Sequence, residues 1–330
     1  MSKLENPWRT LIQAAASSPS PHNAQPWKVR IIDDSRAELF IDRKRALPDE
    51  DTTGCFMICA MGIFCEALEG IAATHGLKLA AEYFEPSYEN ELNLFAKFEL
   101  TEADDDCVPY PRELYSKRKT SRLPNLKKPV PDELPTKLKA IDSGTDQQLS
   151  VISDPQLIHW IMDLNLETTF IDMNNAPYRK EFHNWVRTKP REAARRRDGL
   201  DARCMNLKPI EFWMNANFYW MYRIPIVSTF IKYWYNFRIG HIQHFGIISG
   251  SFWENESAVS AGRYLLKLWL EMARNDIYLH PFGNLVTNLE TRSTLEKKLG
   301  IENIWLVFRM GYTQEPPESY RLDVSEIIID

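Results

Sequence analysis

Glycine is scarce in this chain, 13 in 330 residues, and none of it falls in a GxGxxG or GxxxxGK[ST] pattern. Those patterns let a backbone close around phosphates, so a Rossmann dinucleotide site and a P-loop are both excluded. A basic excess is missing too: 40 Lys and Arg stand against 45 Asp and Glu, a net charge of -5. A general nucleic-acid binder needs a net basic face, so any anion site here must be local. No run of 18 or more uncharged apolar residues occurs, and no membrane span is expected. The opening MSKLENPWRTLIQAAASS has no uninterrupted apolar stretch after its charges and does not read as a secretory signal, which points to a cytoplasmic protein. The five cysteines are an odd number, and Cys55, Cys59 and Cys65 share one apolar run, GCFMICAMGIFCEALEGI, without CxxC spacing. They read as small thiols in a helix core, and no metal is expected.

What is present is material for a full core. With 44% hydrophobic and 12% aromatic residues the chain folds without disulfide or metal staples. A helical pattern over 5–17 is broken by Pro19, Pro21 and Pro26, three fixed φ angles in a stiff loop. WKVRII and AELFID read as strands, a long apolar helix runs from Asp51 to His75 before Gly76, and KLAAEYFEP and LNLFAKFELTE read as two further strands. The acidic Asp104, Asp105 and Asp106 with Pro109 and Pro111 look like a connector, giving a first lobe over 1–108 and a second over 109–330. In the second lobe a short helix ends at YSKRKTSR, PVPDELPTKLKAI begins another, and helices continue through 154 to 187. Ala258, Ala261, Leu265, Leu268 and Met272 keep helical spacing, followed by a strand at IYLHPF, a helix near 288–298 and the strand ENIWLVFRMGY. The tail QEPPESYRLDVSEIIID reads as extended and polar. Strands come in hairpins and helices in blocks, so the expected class is α+β with mainly antiparallel sheets packed against helices.

Two segments carry chemistry. Ser18-Pro19-Ser20-Pro21-His22-Asn23-Ala24-Gln25-Pro26-Trp27 places hydroxyls and amides on a rigid loop, which lowers the entropy cost of presenting them to a ligand. On composition alone the same segment is an ordinary turn. Lys117, Arg118, Lys119 and Arg122, with Thr120 and Ser121 between them, form a compact cluster in an acidic protein. Arginine forks match phosphate oxygens, and a solvated basic patch is the competing reading.

The order of residues in the first segment resembles the PSxxNxQPW signature of the nitroreductase superfamily, and Arg118-Lys119-Thr120-Ser121-Arg122 before PVPDEL resembles its R[RH][ST]xR element. IDRKRALPDEDTTG and the helix to His75 resemble the longer, internally fused, Acg-like members. In ordinary members two chains hold each FMN at their interface, so the resemblance implies that one chain here carries both halves as two pseudo-dimer lobes around one FMN. It implies that Ser20 and Asn23 touch the cofactor from the first lobe while Gln25, Pro26 and Trp27 shape the loop, and Gln25 is counted with the site. Pro21 stands where the family often has a second serine, which implies one hydrogen bond fewer. Arg118 is implied to contact the FMN phosphate, Thr120 the phosphate or ribityl chain, and Arg122 the pyrimidine edge. Asp276 to Asn284 resembles the strand and loop along the flavin ring, which brings Pro281, Phe282 and Gly283 to the cofactor through backbone groups. His280 is read as a satisfied or exposed histidine in preference to an acid. FRMGYTQEPPESYR resembles the family's closing stretch and makes Arg321 a further phosphate ligand.

The function so implied is FMN-dependent oxidoreduction of nitroreductase type. NAD(P)H would be the donor in a ping-pong sequence, and the acceptor a flat, electron-poor molecule such as a nitroaromatic or quinone. No catalytic side chain is required, because the flavin carries the chemistry. The alternative is a flavin-storage protein with a covered site and little turnover, and either a monomer or a homodimer fits. Residues 190–245 match poorly and hold EFWMNANFYWMYRIPIVSTFIKYWYNF, an aromatic stretch that reads as a lid or core packing ahead of a partner surface or an interfacial membrane helix.

Overall fold

The computed structural model describes residues 6–87, 90–103 and 109–330. The acidic connector Asp104 to Asp106 and the lobe boundary at 108 lie outside the described residues. Helix α1 (Pro7–Ala15) opens the chain, with β1 (Trp27–Ile31) and β2 (Arg36–Asp42) as a hairpin, α2 (Cys55–Thr74), and β3 (Leu77–Tyr83) and β4 (Leu92–Glu102) as a second hairpin. Next come α3 (Arg112–Lys117), α4 (Leu134–Lys139) and β5 (Gln148–Ile152). A helical insertion follows: α5 (Pro155–Asn174), α6 (Ala176–Trp185), the two-strand ribbon β6 (Val186–Arg187) and β7 (Leu200–Asp201) flanking α7 (Pro190–Arg196), then α8 (Pro209–Asn217) and α9 (Pro225–Ile239). The chain closes with β8 (His244–Ser249), α10 (Asn255–Arg274), β9 (Tyr278–Pro281), α11 (Asn284–Thr287), α12 (Leu289–Leu299), β10 (Ile304–Gly311), α13 (Val324–Ile327) and β11 (Ile328–Ile329).

The strands form two sheets, ordered β11-β1-β2-β4-β3 and β5-β8-β10-β9, besides the small ribbon. Apart from β11, which joins β1 in parallel, every pairing in the two larger sheets is antiparallel. The expected α+β class is found. Trp27 and Val29 face the core while Lys28 and Arg30 point away, the period of two that a half-buried strand requires. All eight residues of β10 are buried, which is why IWLVFRMG is apolar along its length but for the one charge of Arg309.

Both sheets share one plan: a first pair of strands, a 20-residue helix, then a second pair with the later strand inside the earlier one. The helices of the two halves, α2 and α10, cross at the centre. Gly62 packs on the Val259 carbonyl and Gly262 on the Cys59 carbonyl, a reciprocal contact in which a methyl group on either glycine would strike backbone oxygen. One hydrophobic cluster draws on both helices and both sheets, from Trp8 and Phe64 to Trp269 and Trp305. A second gathers Ile161, Phe245, Leu285 and Val307 under α5.

Among the described residues α2 alone is long and apolar enough to cross a membrane, and it is a core helix with 14 buried residues. Burial raises the thiol of Cys65 to about 12 and that of Cys59 further, so these cysteines are protonated packing groups.

The structure corrects the sequence reading in two places. Strands β5 and β8 were not anticipated, since each is a short, mostly apolar run that periodicity does not separate from helix. The tail is not merely extended and polar. Leu322 is buried, and the chain ends in α13 and β11, which adds an edge strand to the first sheet through the pairs Val29 with Ile328 and Arg30 with Ile329.

Candidate functional site

The loop after α1 is shaped by its own side chains. His22, Asn23 and Gln25 sit at φ of 47°, 55° and 55°, a region that costs non-glycine residues energy unless contacts hold them there. Here the Gln25 N–H donates to Ser20 Oγ at 2.8 Å, and Gln25 Nε2 donates to the carbonyls of Asn23 at 3.2 Å and Arg197 at 2.8 Å. Gln25 Oε1 accepts from the Leu322 N–H at 2.9 Å. Asn23 Nδ2 donates to the Tyr320 carbonyl at 3.0 Å, and its Oδ1 accepts from Arg321. The loop and the segment 320–322 are therefore one unit. Gln25 is fully buried behind the loop, where it acts as the brace.

The basic cluster divides. Lys117 pairs with Asp276 at 2.7 Å, and Lys119 with Glu315 at 2.8 Å and Glu318 at 3.4 Å, so these two are neutralised by carboxylates. Arg118 turns inward, 4% exposed, with its guanidinium 4.6 Å from the centre of the Trp269 ring and Nη2 donating to the Ser17 carbonyl at 2.6 Å. Arg321 Nη2 donates to that same carbonyl at 3.2 Å. Two guanidinium groups thus meet at one oxygen, and among the described residues no carboxylate pairs with either. Burial, and then the charge of Arg321, lower Arg118 to about 9, while burial lowers Arg321 to about 10. The adjoining Ser18 hydroxyl is buried with no partner. Arg122 donates weakly to the Cys204 carbonyl at 3.5 Å, and burial lowers its pKa as well.

Buried cations without a counter-ion are costly, because the protein returns little of the lost hydration. A site that brings buried Arg118 and half-buried Arg321 to one carbonyl, with half-buried Arg122 on the same lining as Arg321, suits a bound anion with several acceptor oxygens. These residues fit the phosphate of FMN.

The opposite wall comes from β9. Thr120 bridges to Leu279, and the Ser121 N–H donates to the Leu279 carbonyl at 3.1 Å, so the arginine segment lies alongside that strand. Arg309 of β10, 1% exposed, fastens the arrangement. Its Nη1 donates to Asn125 Oδ1 at 2.6 Å and the Ile239 carbonyl at 2.7 Å, its Nη2 to the Leu123 carbonyl at 2.8 Å, and its Nε to His280 Nδ1 at 3.1 Å. Burial and the charges of Arg309 and Arg122 hold His280 well below the ordinary imidazole range. A neutral ring that accepts at Nδ1 carries its proton on Nε2. His280 is thus the satisfied histidine expected.

Between these walls lies a cavity of about 850 Å³. Ser20, Asn23, Thr120, Arg122 and Arg321 line it together with Pro281, Phe282 and Gly283, so eight of the ten expected site residues converge. Gln25 and Arg118 stand behind the lining. The cover is the segment the sequence left unmatched: Phe212 and Met214 of α8, Tyr222, and Val227, Ile231 and Tyr235 of α9. His22 Nε2 lies 2.9 Å from Glu50 at one side of the cavity. Asp51 accepts the N–H groups of Phe56 and Met57 at 3.2 and 2.8 Å and caps the start of α2, with burial raising its carboxyl to about 6.

Sequence reasoning missed Arg309 and Trp269 as parts of this site. Only Arg309 left a signal, as a lone charge inside an apolar strand. The face that Trp269 turns to Arg118 depends on how α10 crosses α2, which no local pattern encodes.

No profile of a known protein family matches the chain. Over 148 residues it is 27% identical to the curated protein "Putative NAD(P)H nitroreductase acg" of Mycobacterium tuberculosis, in both strain H37Rv and strain CDC 1551. That match covers 44% of this chain and 44% of the relative, so the chain spans less than half the length of the curated relatives it matches. Among solved structures, the FMN-dependent nitroreductase NfnB from Mycobacterium smegmatis, determined with NADPH, is 16% identical at a TM-score of 0.37, covering 65% of this chain and 94% of that one. The FMN and NADPH-dependent nitroreductase NfnB from sphigopyxis sp. strain HMH is 13% identical at 0.41, covering 66% and 96%. The sequence similarity is thus to a curated nitroreductase over part of each chain, and in this structure the Ser18–Trp27 loop and the Arg118–Arg122 segment meet at the cavity that both line.

Proposed function

We propose that this chain is an FMN-dependent oxidoreductase that takes electrons from NAD(P)H and passes them by a ping-pong sequence to a flat, electron-poor acceptor. The observation that carries the reading is the pair Arg118 and Arg321, which donate to the one Ser17 carbonyl with no carboxylate pairing with either among the described residues. When bound, FMN supplies two-electron transfer between donor and acceptor. In this reading Arg118 and Arg321 neutralise its phosphate, with Thr120 near the phosphate or ribityl chain. Ser20 and Asn23 meet it from the first lobe (1–108), while Arg122 and the backbone of Pro281 to Gly283 meet it from the second (109–330). Gln25 acts through the loop it braces. Neutral His280, held by Arg309, keeps an N–H donor in the lining without adding a charge. The donor is inferred from the name of the curated relative. The free cysteines among the described residues accord with a reducing cytoplasm.

The second reading, flavin storage with little turnover, is favoured by one observation: α8 and α9 lie over the cavity as a cover. An anaerobic absorption spectrum of the purified protein, taken before and after NADH and then NADPH, separates the two. Rapid bleaching of a flavin spectrum is expected. Flavin that stays oxidised with both donors selects storage, and a protein that neither carries nor takes up FMN refutes both readings.

A further inference from the structure

Of the fifteen exposed large apolar or aromatic side chains among the described residues, ten lie between Ile210 and Phe237. They belong to α8, the short turn after it and α9. Ile226 is 83% exposed, Tyr233 70% and Phe237 69%, joined by Phe230, Trp220 and Trp234. Isolated exposed apolar residues are ordinary, whereas such a concentration of them on one segment marks a surface that another phase or molecule covers.

The chemistry of the patch indicates which. No Asp or Glu occurs anywhere from 212 to 253, in a chain whose net charge is -5. Two of the nearby cations are neutralised from other elements, Lys232 by Glu167 at 2.8 Å and Arg238 by Glu211 at 3.1 Å. Two others have only uncharged partners among the described residues: Arg223 donates to Asn174 Oδ1 at 2.6 Å, and Arg179 donates to the Met173 carbonyl at 2.8 Å with its guanidinium over Tyr219. Apolar residues such as Ile226, Phe230 and Phe237 therefore share the surface with Trp and Tyr, whose polar tips suit a headgroup layer, and with cations suited to anionic lipid.

We propose that the α8–α9 cover docks on an anionic bilayer surface, lying in the interface without spanning it. The inference stands on this patch and is independent of what the cavity binds. Met214, Phe230 and Trp234 are at once exposed and part of the cavity lining, so the patch and the cover share side chains.

The test is co-sedimentation of the full chain with vesicles of phosphatidylcholine alone and of phosphatidylcholine with phosphatidylglycerol. The variant I226E/F237E serves as the probe, because neither side chain lines the cavity, and I32E serves as an exposed apolar control outside the patch. The wild type and I32E are expected to pellet with the anionic vesicles, and I226E/F237E to lose roughly tenfold or more in partitioning while its far-UV circular dichroism is unchanged. Wild-type protein that stays in the supernatant with both vesicle types overturns the proposal, as does I226E/F237E binding like the wild type. A concentration-dependent dimer that forms without lipid and disappears in I226E/F237E also overturns it, assigning the patch to a second copy of the chain.

Discussion

Arg118 shows how one residue type divides its work by position. Its neighbours Lys117 and Lys119 find carboxylates at the surface, while Arg118 is carried inward by α3 onto Trp269 and the Ser17 carbonyl. A cation in that position is costly in the free protein and repaid by an anion, so the loss of its side chain is felt chiefly in binding. Arg118→Ala is expected to weaken FMN binding by about 1–3 kcal/mol, the range for a lost charged hydrogen bond, and Lys119→Ala to leave it nearly unchanged. Fluorescence titration of the apoprotein with FMN measures both, and equal affinities for Arg118→Ala and wild type would remove Arg118 from the site. The arginines and the loop asparagine were legible because their order is a pattern along the chain. Arg309, which ties three separate segments to its own strand, was not, because Leu123 with Asn125, Ile239 and His280 come together only after folding.

At the level of elements, the two 20-residue helices at the centre set the spacing of everything else. Their closest approach passes over Gly62 and Gly262, each facing a backbone carbonyl of the other helix, and backbone cannot swing aside as a long side chain can. Gly62→Ala is therefore expected to destabilise the fold by about 1–3 kcal/mol, the usual cost of overpacking, despite the better helix propensity of alanine. A urea midpoint at or above that of the wild type would show that the helices part without strain. The long helices and the first four strands could be read from periodicity, since each sustains its pattern over many residues. Strand β5 has five residues and β8 six, and the second pairs with partners on both sides, so its burial is continuous and its period invisible. The closing β11 is two residues long and exists only because the edge of β1 is there to receive it.

Across the whole molecule, the candidate site is assembled from distant parts of the chain: the loop near 20, the segment near 120, the strand near 280 and the return at 321. A ligand that touches all four binds only the folded state of both halves. FMN at about a hundred times its dissociation constant is expected to add about 2.7 kcal/mol to stability and to raise the midpoint of one common thermal transition. Two transitions of which only one moves would mean that the halves do not share the ligand. The two halves repeat one plan, yet only the second carries the helical insertion between its first two strands, and with it the cover. When two identical chains build a symmetric pair of sites, every inherited change is made twice and must be tolerated in both places. Here a change in the cover, in the arginine segment or in the loop is made once. Each half is free to drift on its own, and the cover shows how far the second has gone.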